Sequence, residues 1–145
     1  MEIRQGKFLT KLKQLLVKYR EQILYLVFGG LTTLVNIVVY GALHLMAWPY
    51  QLAYWSAWFL AVLFAYLTNR RWVFQSQSRG LSAILRETFN FYFARLLTGL
   101  LGSAIMWLGV SALQQNDFIW NIIQNIFVII ANYGLSKWFI FKSKE

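Results

Sequence analysis

The chain has 145 residues, of which 59% are hydrophobic, 19% aromatic and only 13% charged. An ordinary soluble domain carries about 25% charged residues, and a soluble core of this size could not hide so much apolar surface. The composition therefore predicts one membrane domain over residues 1–145, too short for a second folded unit. The chain has no cysteine, which excludes disulfides and thiolate metal sites.

The formal net charge is +9, which in a soluble protein would suggest a nucleic-acid ligand. Here the basic residues lie between apolar runs and form no continuous basic face. That distribution favours a topology signal together with contact to anionic phospholipids. No nucleic-acid partner is expected.

The N-terminal segment, residues 1–21, mixes basic and apolar side chains at helical spacing. Its apolar residues recur at intervals of three, four and seven: Phe8, Leu12, Leu15, Leu16 and Tyr19. This pattern predicts a basic amphipathic helix that lies in the membrane interface. A signal peptide is the competing interpretation. It is disfavoured because the next apolar run is too long, lacks a small-residue cleavage site and is followed by further spans.

Four apolar runs follow, each near or above the ~20 residues that cross the hydrocarbon of a bilayer. They predict transmembrane helices over residues 23–48, 52–68, 89–113 and 118–138. Pro49 closes the first, and a polar loop at 75–87 separates the second from the third. Since a helix satisfies its own backbone hydrogen bonds in lipid, the predicted fold is all-α and integral to the membrane.

The lysines and arginines lie in three groups that would share one side of the membrane. The N-terminal segment carries six, the middle loop with its flanks five, and the C-terminal end three, namely Lys137, Lys142 and Lys144. The two opposite loops hold no lysine or arginine, only His44 and Asp117. By the positive-inside rule we expect a multi-pass protein of the inner (cytoplasmic) membrane, with both termini cytoplasmic.

The ends of the second and fourth spans are alike at an offset of 67 residues. Residues 66–74, YLTNRRWVF, align with residues 133–141, YGLSKWFIF. The same offset pairs Tyr25 with Tyr92 near the starts of the first and third spans. This predicts a parallel internal repeat of two like-oriented helical hairpins.

No Asp or Glu is expected within a span, because Glu21 and Glu87 are placed at the cytoplasmic edge. A proton-coupled exporter of cations needs a buried carboxylate, so the pattern argues against that class.

The spans instead carry polar and small residues in stripes. On the fourth span these are Asn121, Asn125, Asn132 and Ser136; on the first, Tyr25, Gly29, Thr32 and Asn36; on the third, Tyr92, Arg95, Gly99, Gly102 and Ser103. Such stripes fit either helix–helix packing or a polar path.

Arg95 is the sharpest single signal, since it lies about two turns inside the third span. Arg70 and Arg71 end the second span and Lys137 ends the fourth, at the same expected depth. A guanidinium group can bind two phosphate oxygens at once through two parallel hydrogen bonds. Three arginines and a lysine at one depth therefore suit an anionic lipid headgroup. The alternative is that Arg95 snorkels to an ordinary lipid and the others only anchor the topology.

Two motifs resemble the GtrA-like family. They are FGGLTTLVN at residues 28–36, and NRRWVF at residues 69–74 with its counterpart SKWFIF at 136–141. The resemblance covers the chain from Ile23 to Phe141. It implies a small four-helix membrane protein of cell-surface polysaccharide synthesis that flips a polyprenyl-phosphate-linked sugar, such as one carried on undecaprenyl phosphate.

On that resemblance, Arg70, Arg71 and Arg95 would contact the lipid phosphate, with Lys137 as a weaker counterpart. The sugar hydroxyls would meet amides along the path, at Asn36, Asn69, Asn125 and Asn132. The second copy has one lysine where the first has two arginines, which argues against two equivalent phosphate sites.

The predicted function is therefore a non-enzymatic flippase with no cofactor, driven by the substrate gradient and assembled as a homo-oligomer. An alternative is a membrane anchor that recruits a glycosyltransferase through the N-terminal helix and the 75–87 loop. A small-solute exporter is disfavoured by the missing carboxylate. An enzyme is the least favoured class, because the sequence shows no nucleophile–base pair and no metal-ligand cluster.

Overall fold

The computed structural model describes residues 1–141, with the side chains of all but residues 50, 51, 117 and 118. Within that range the regular elements are five α-helices, which are α1 (Glu2–Lys18), α2 (Arg20–Leu45), α3 (Tyr50–Thr68), α4 (Leu81–Met106) and α5 (Asp117–Leu135). The last three continue into π-helical turns at Asn69–Val73, Trp107–Ala112 and Ser136–Ile140. Lys142 and Lys144, two of the three predicted C-terminal charges, lie outside the described residues.

Four helical stretches are long and apolar enough to cross a membrane. They are Arg20–Leu45, Leu52–Val73, Leu81–Ala112 and Ile119–Ile140. The predicted all-α membrane fold with four spans is therefore confirmed.

The helix ends differ from the predicted spans in two informative places. Where the second span was predicted to stop at residue 68, the helix runs on through the π-helical turn to Val73. Where the third was predicted to start at residue 89, α4 already begins at Leu81. Arg86 and Glu87 lower the local hydropathy without preventing a helix, so the apolar run begins later than the helix does.

The N-terminal segment is helical, and a single residue separates it from the first span. Tyr19, with φ −105° and ψ 20°, ends α1, and α2 begins at Arg20. No residue of α1 is buried. A helix is thus present where an amphipathic one was predicted, and its position in the interface stays a prediction.

The chain divides by its contacts into two compact units, Met1–Val73 and Phe74–Glu145. In the first unit α2 packs against α3 and its π-helical turn. One side of α3 carries a buried alanine at every fourth position, namely Ala53, Ala57, Ala61 and Ala65. Small residues at this spacing let a neighbouring backbone approach closely. The predicted grouping of both hairpins into a single domain stays a prediction.

In the second unit α4 packs against α5. Its aromatic core includes Phe91, which is completely buried, and Phe141. The rings of Phe74 and Phe141 stack with centroids 5.4 Å apart, and Phe91 lies 5.7 Å from Phe141. Aromatic contacts thus tie both ends of this unit to the first half of α4.

The π-helical turns that follow α3 and α5 occupy equivalent positions in the two hairpins. Ser136–Ile140 lies 67 residues after Asn69–Val73, which is the predicted repeat offset. In each turn the first and last residues are buried: Asn69 and Val73 in one, Ser136 and Ile140 in the other. This agreement supports the internal repeat, which itself stays a prediction.

Candidate functional site

Arg70 and Arg71 lie side by side in the π-helical turn that ends the first hairpin. The Arg71 guanidinium lies 5.2 Å from the ring of Trp72, which in turn stacks on Phe28 of α2 with centroids 5.6 Å apart. Arg71 is exposed and Arg70 is half-buried. A ring contact uses the face of a guanidinium and leaves its N–H edge for an anion, so Arg71 is oriented without its hydrogen-bonding capacity being consumed.

Arg95 and Lys137, the other two predicted phosphate contacts, lie in the second unit. The Arg95 guanidinium is 4.7 Å from the ring of the buried Phe91. Lys137 Nζ is 5.8 Å from the ring of Tyr133 and 5.9 Å from that of Trp138. Both cations are half-buried. The two arginines of the first hairpin belong to the other unit, so the union of all four cations into one site stays a prediction.

A hydrogen bond between α4 and α5 fixes the relative level of Arg95 and Lys137. The Thr98 hydroxyl donates to Asn132 Oδ1 at 2.6 Å, and both residues are buried. Arg95 lies three residues and Lys137 five residues from this bond, toward the same end of the two helices. At 1.5 Å per residue these are displacements of about 4.5 and 7.5 Å, so the two cations lie at nearly one level.

The face of α4 that packs is not the polar stripe predicted from the sequence. The buried residues of α4 are Glu87, Phe91, Ala94, Thr98 and Gly102. Only Gly102 belongs to the predicted stripe, whose other members are half-buried or exposed. Arg95 therefore sits on the flank of the helix pair, beside the packed seam.

The four asparagines predicted to line a sugar path fall into two groups. Asn69 and Asn132 are buried, and Asn132 accepts the hydrogen bond from Thr98. Asn36 is half-buried on α2 and Asn125 is exposed on α5. Asn132 thus takes part in helix–helix packing, the alternative left open by the sequence, whereas Asn36 and Asn125 present amides outside the packed seams.

Asn125 also belongs to a short amide chain along α5. Its Nδ2 donates to Asn121 Oδ1 at 3.0 Å, and the Gln124 side chain donates to the same oxygen at 2.8 Å. These bonds are within one helix, so they orient the amides without joining two helices. Gly102 of α4 lies beside this chain, because a Cβ there would come within 2.5 Å of Gln124 Oε1.

Glu87 is a buried carboxylate that the sequence did not single out. It is 4% exposed and lies in the second turn of α4, where Ser76 Oγ donates to its Oε2 at 2.6 Å. The Ser78 amide donates in turn to Ser76 Oγ at 3.3 Å. The prediction that Glu87 belongs to a polar loop is wrong. The argument against a proton-coupled exporter, which assumed that no span contains a carboxylate, is weakened accordingly.

The glycines of the first and third spans differ in how closely neighbouring side chains approach them. Added Cβ atoms at Gly29 and Gly99 would meet nothing within 4 Å among the described residues. One at Gly102 would press on Gln124 and Val128, and one at Gly109 would overlap the ring of Trp120. Close helix packing thus depends on Gly102 and Gly109, which lie along α4 and its π-helical turn.

These features define a small multi-pass membrane protein with cationic residues at the ends of two helical hairpins. The family described as GtrA/DPMS, transmembrane domain, matches residues 24–141. The chain belongs to this family, which confirms the resemblance drawn from the FGGLTTLVN and NRRWVF motifs. The match contains all four membrane-spanning helices apart from the first turn of α2, and α1 precedes it.

The chain also matches curated relatives over nearly their whole length. It is 36% identical over 140 residues to the cell wall teichoic acid glycosylation protein GtcA of Listeria monocytogenes, covering 96% of this chain and 97% of that one. Identity to the protein of the same name from Listeria innocua is 37%, covering 94% and 100%. The uncharacterized membrane protein YwcD of Bacillus subtilis is 35% identical, covering 84% and 97%.

Proposed function

We propose that the protein moves a polyprenyl-phosphate-linked sugar from the cytoplasmic to the outer leaflet of the cytoplasmic membrane, where the sugar is used to glycosylate a cell-wall polymer. The names of the Listeria relatives support a role in teichoic acid glycosylation. Sugars reach wall polymers outside the membrane, so a lipid-linked donor made inside must cross. A four-span protein with cations at its helix ends suits that step.

The observation that carries the proposal is the pair Arg95 and Lys137. Both are half-buried at nearly one level, which is that of the C-terminal end of α5 and the middle of α4, and each rests on aromatic rings. Aromatic support keeps a long cationic side chain in place at the membrane edge. A phosphate monoester or diester is the anion that such groups meet most often in a membrane, and guanidinium binds it through two N–H groups.

In this mechanism the cations hold the lipid phosphate, while the sugar follows exposed or half-buried amides such as Asn36 and Asn125. The prenyl chain stays in lipid. The protein forms and breaks no covalent bond, and the gradient maintained by use of the sugar outside drives net movement. Both termini and the 74–80 connection face the cytoplasm. A homo-oligomer would widen the path, since α2 buries only Tyr25 and leaves most of its surface open.

The test is transport in proteoliposomes that contain a polyprenyl-phosphate sugar with a labelled sugar. Wild-type protein should move the headgroup between leaflets. Arg71→Ala and Arg95→Ala should each slow this by about tenfold to a hundredfold, the equivalent of one lost charge-assisted hydrogen bond. Arg79→Ala is the matched control, because Arg79 is an exposed arginine of the connection between the hairpins. It should move the headgroup at the wild-type rate.

Two outcomes would contradict the proposal. Equal transport rates for Arg95→Ala, Arg71→Ala and wild type would show that these arginines do not hold the lipid phosphate during transport. Failure of the purified wild-type protein to move the lipid, together with its copurification with a glycosyltransferase, would instead favour the recruiter function. That alternative draws on the exposed basic residues of α1 and on those of the predicted 75–87 loop, Arg79 and Arg86.

A further inference from the structure

The helix α1 carries an apolar face that no part of the described chain covers. At 100° per residue, Phe8, Leu12 and Leu15 lie within about 60° of one another, and Leu9 and Leu16 extend the face on one side. All five are exposed, from 42% at Leu12 to 67% at Phe8. An apolar helix face left this open in water is unfavourable, so it requires an occupant.

The charges of α1 indicate what that occupant is. The helix contains five basic residues and one acidic residue. Four of the basic residues lie along one edge of the apolar face, namely Arg4, Lys7, Lys11 and Lys18, and Lys13 lies beyond the other edge. A face of hydrocarbon between cationic edges matches the boundary between acyl chains and anionic headgroups. A second copy of α1 would bring the same charges together and be repelled.

The junction with α2 places the helix where such a surface is available. Only Tyr19 separates α1 from α2, and α2 is a membrane-spanning helix that begins at Arg20. The C-terminal end of α1 is therefore held at the headgroup layer. The family match begins at residue 24, so this element is additional to the matched transmembrane domain.

We propose that α1 is an anionic-lipid-binding element that docks its Phe8–Leu12–Leu15 face into the leaflet and uses its basic edge to select negatively charged headgroups. Because α1 is joined to α2 through Tyr19, docking is an intramolecular equilibrium. The charges of α1 therefore determine the fraction of molecules with a docked helix at a given lipid composition. The proposal is independent of whether the protein translocates any lipid.

The chain has no cysteine, so single-cysteine probes report without background. The full-length Leu12→Cys protein, carrying a polarity-sensitive fluorophore, is reconstituted in phosphatidylcholine vesicles with or without phosphatidylglycerol. With phosphatidylglycerol the fluorophore should report an apolar environment and be quenched by lipid-attached quenchers. High salt should reverse both effects. The same probe at Thr10→Cys, on the opposite face, should stay accessible to aqueous iodide.

The charge requirement is tested in the Leu12→Cys background. Each basic residue near an anionic surface favours docking about fivefold, so Lys7, Lys11 and Lys18→Gln together should shift the equilibrium toward the undocked helix on the order of a hundredfold. Lys13→Gln, a single change at the other edge, should shift it about fivefold.

Three results would overturn the proposal. In the first, the Leu12 probe stays in water in phosphatidylglycerol vesicles. In the second, it docks equally in neutral vesicles and is insensitive to the triple change, which would make the headgroup charge irrelevant. In the third, it docks only when several copies share a vesicle, or only after a soluble protein is added, which would assign the face to a protein partner.

Discussion

The hydrogen bond from Thr98 to Asn132 joins two membrane-spanning helices through two buried side chains. No water competes for such a bond in a membrane interior. Even so, hydrogen bonds between membrane-spanning helices stabilise a protein by only about 0.6 kcal/mol on average and by about 1.7 kcal/mol at most. Its main consequence is therefore geometric. It fixes the register of α4 against α5, and the common level of Arg95 and Lys137 depends on that register.

Thr98→Val removes the hydroxyl donor and keeps the shape of the side chain. We expect the free energy of unfolding to fall by about 1 kcal/mol, because Asn132 loses a buried partner. Unfolding of the purified protein in mixed micelles with a rising fraction of sodium dodecyl sulfate measures this. Thr33→Val is the matched control, since Thr33 is exposed and its hydroxyl bonds the Gly29 carbonyl of its own helix. Equal losses in both variants would show that the bond across the helices contributes nothing.

Among single residues, the sequence revealed the charge of Arg95 inside an apolar run but not the burial of Glu87 at the edge of one. Arg95 stands out because apolar residues surround it on both sides. Glu87 follows a polar segment, and hydropathy alone assigns it to that segment. Its burial depends on Ser76, eleven residues earlier, whose hydroxyl reaches it only once the chain has folded back onto α4. A tertiary contact of this kind leaves no local pattern.

At the scale of the element, the π-helical turns are the feature that the sequence did not foretell. In two of them the backbone closes with an i→i+5 bond, from the Phe141 amide to the Ser136 carbonyl at 3.0 Å and from the Leu113 amide to the Leu108 carbonyl at 2.9 Å. The wider turn changes the direction in which the following side chains point. After α5 it precedes Phe141, which reaches the aromatic core at Phe74 and Phe91.

The packing of Gly109 against Trp120 yields a prediction about α4 and α5 as a pair. In Gly109→Ala the new methyl group would overlap the indole ring, so Trp120 must move and lose its 2.7 Å hydrogen bond to Gln115. We expect destabilisation of about 1–3 kcal/mol, the usual range for overpacking. The same unfolding titration measures it.

Gly99→Ala is the control for this change, because a Cβ at Gly99 meets nothing within 4 Å. Alanine is favoured over glycine in a helix by up to about 1 kcal/mol, so this variant should be unchanged or more stable. A Gly109→Ala protein as stable as Gly99→Ala would contradict the close contact between the π-helical turn and α5.

The existence and order of the helices followed from hydropathy, whereas the rotation of α4 did not. The predicted stripe of Tyr92, Arg95 and Gly99 is displaced by one residue, about 100°, from the buried positions Phe91, Ala94 and Thr98. In a soluble helix the polar face identifies the solvent side. In a membrane there is no solvent side, and packing follows shape more than polarity, so a polar stripe does not reveal which face meets its neighbour.

At the scale of the whole molecule, the distribution of charge is the property that determines orientation in the membrane. Three basic groups flank the ends of the spans, and the connections at residues 46–49 and 113–116 carry no lysine or arginine. The fold leaves these charges available to the membrane surface, because the basic residues of α1 are exposed and so are Arg79 and Arg86. The positive-inside rule acts on such short segments near the ends of spans.

The orientation can be measured with single cysteines, since the chain has none of its own. Met46→Cys and Leu113→Cys, at exposed positions of the two connections that lack basic residues, should react with a membrane-impermeant maleimide in right-side-out vesicles. Thr10→Cys and Gln77→Cys, exposed on the basic side, should react only after permeabilisation. Because both hairpins are expected to share one orientation, Met46→Cys and Leu113→Cys must behave alike. If Gln77→Cys and one of these two variants were both labelled before permeabilisation, the helix between the two labelled positions would not cross the membrane, and the parallel repeat of two hairpins would be ruled out.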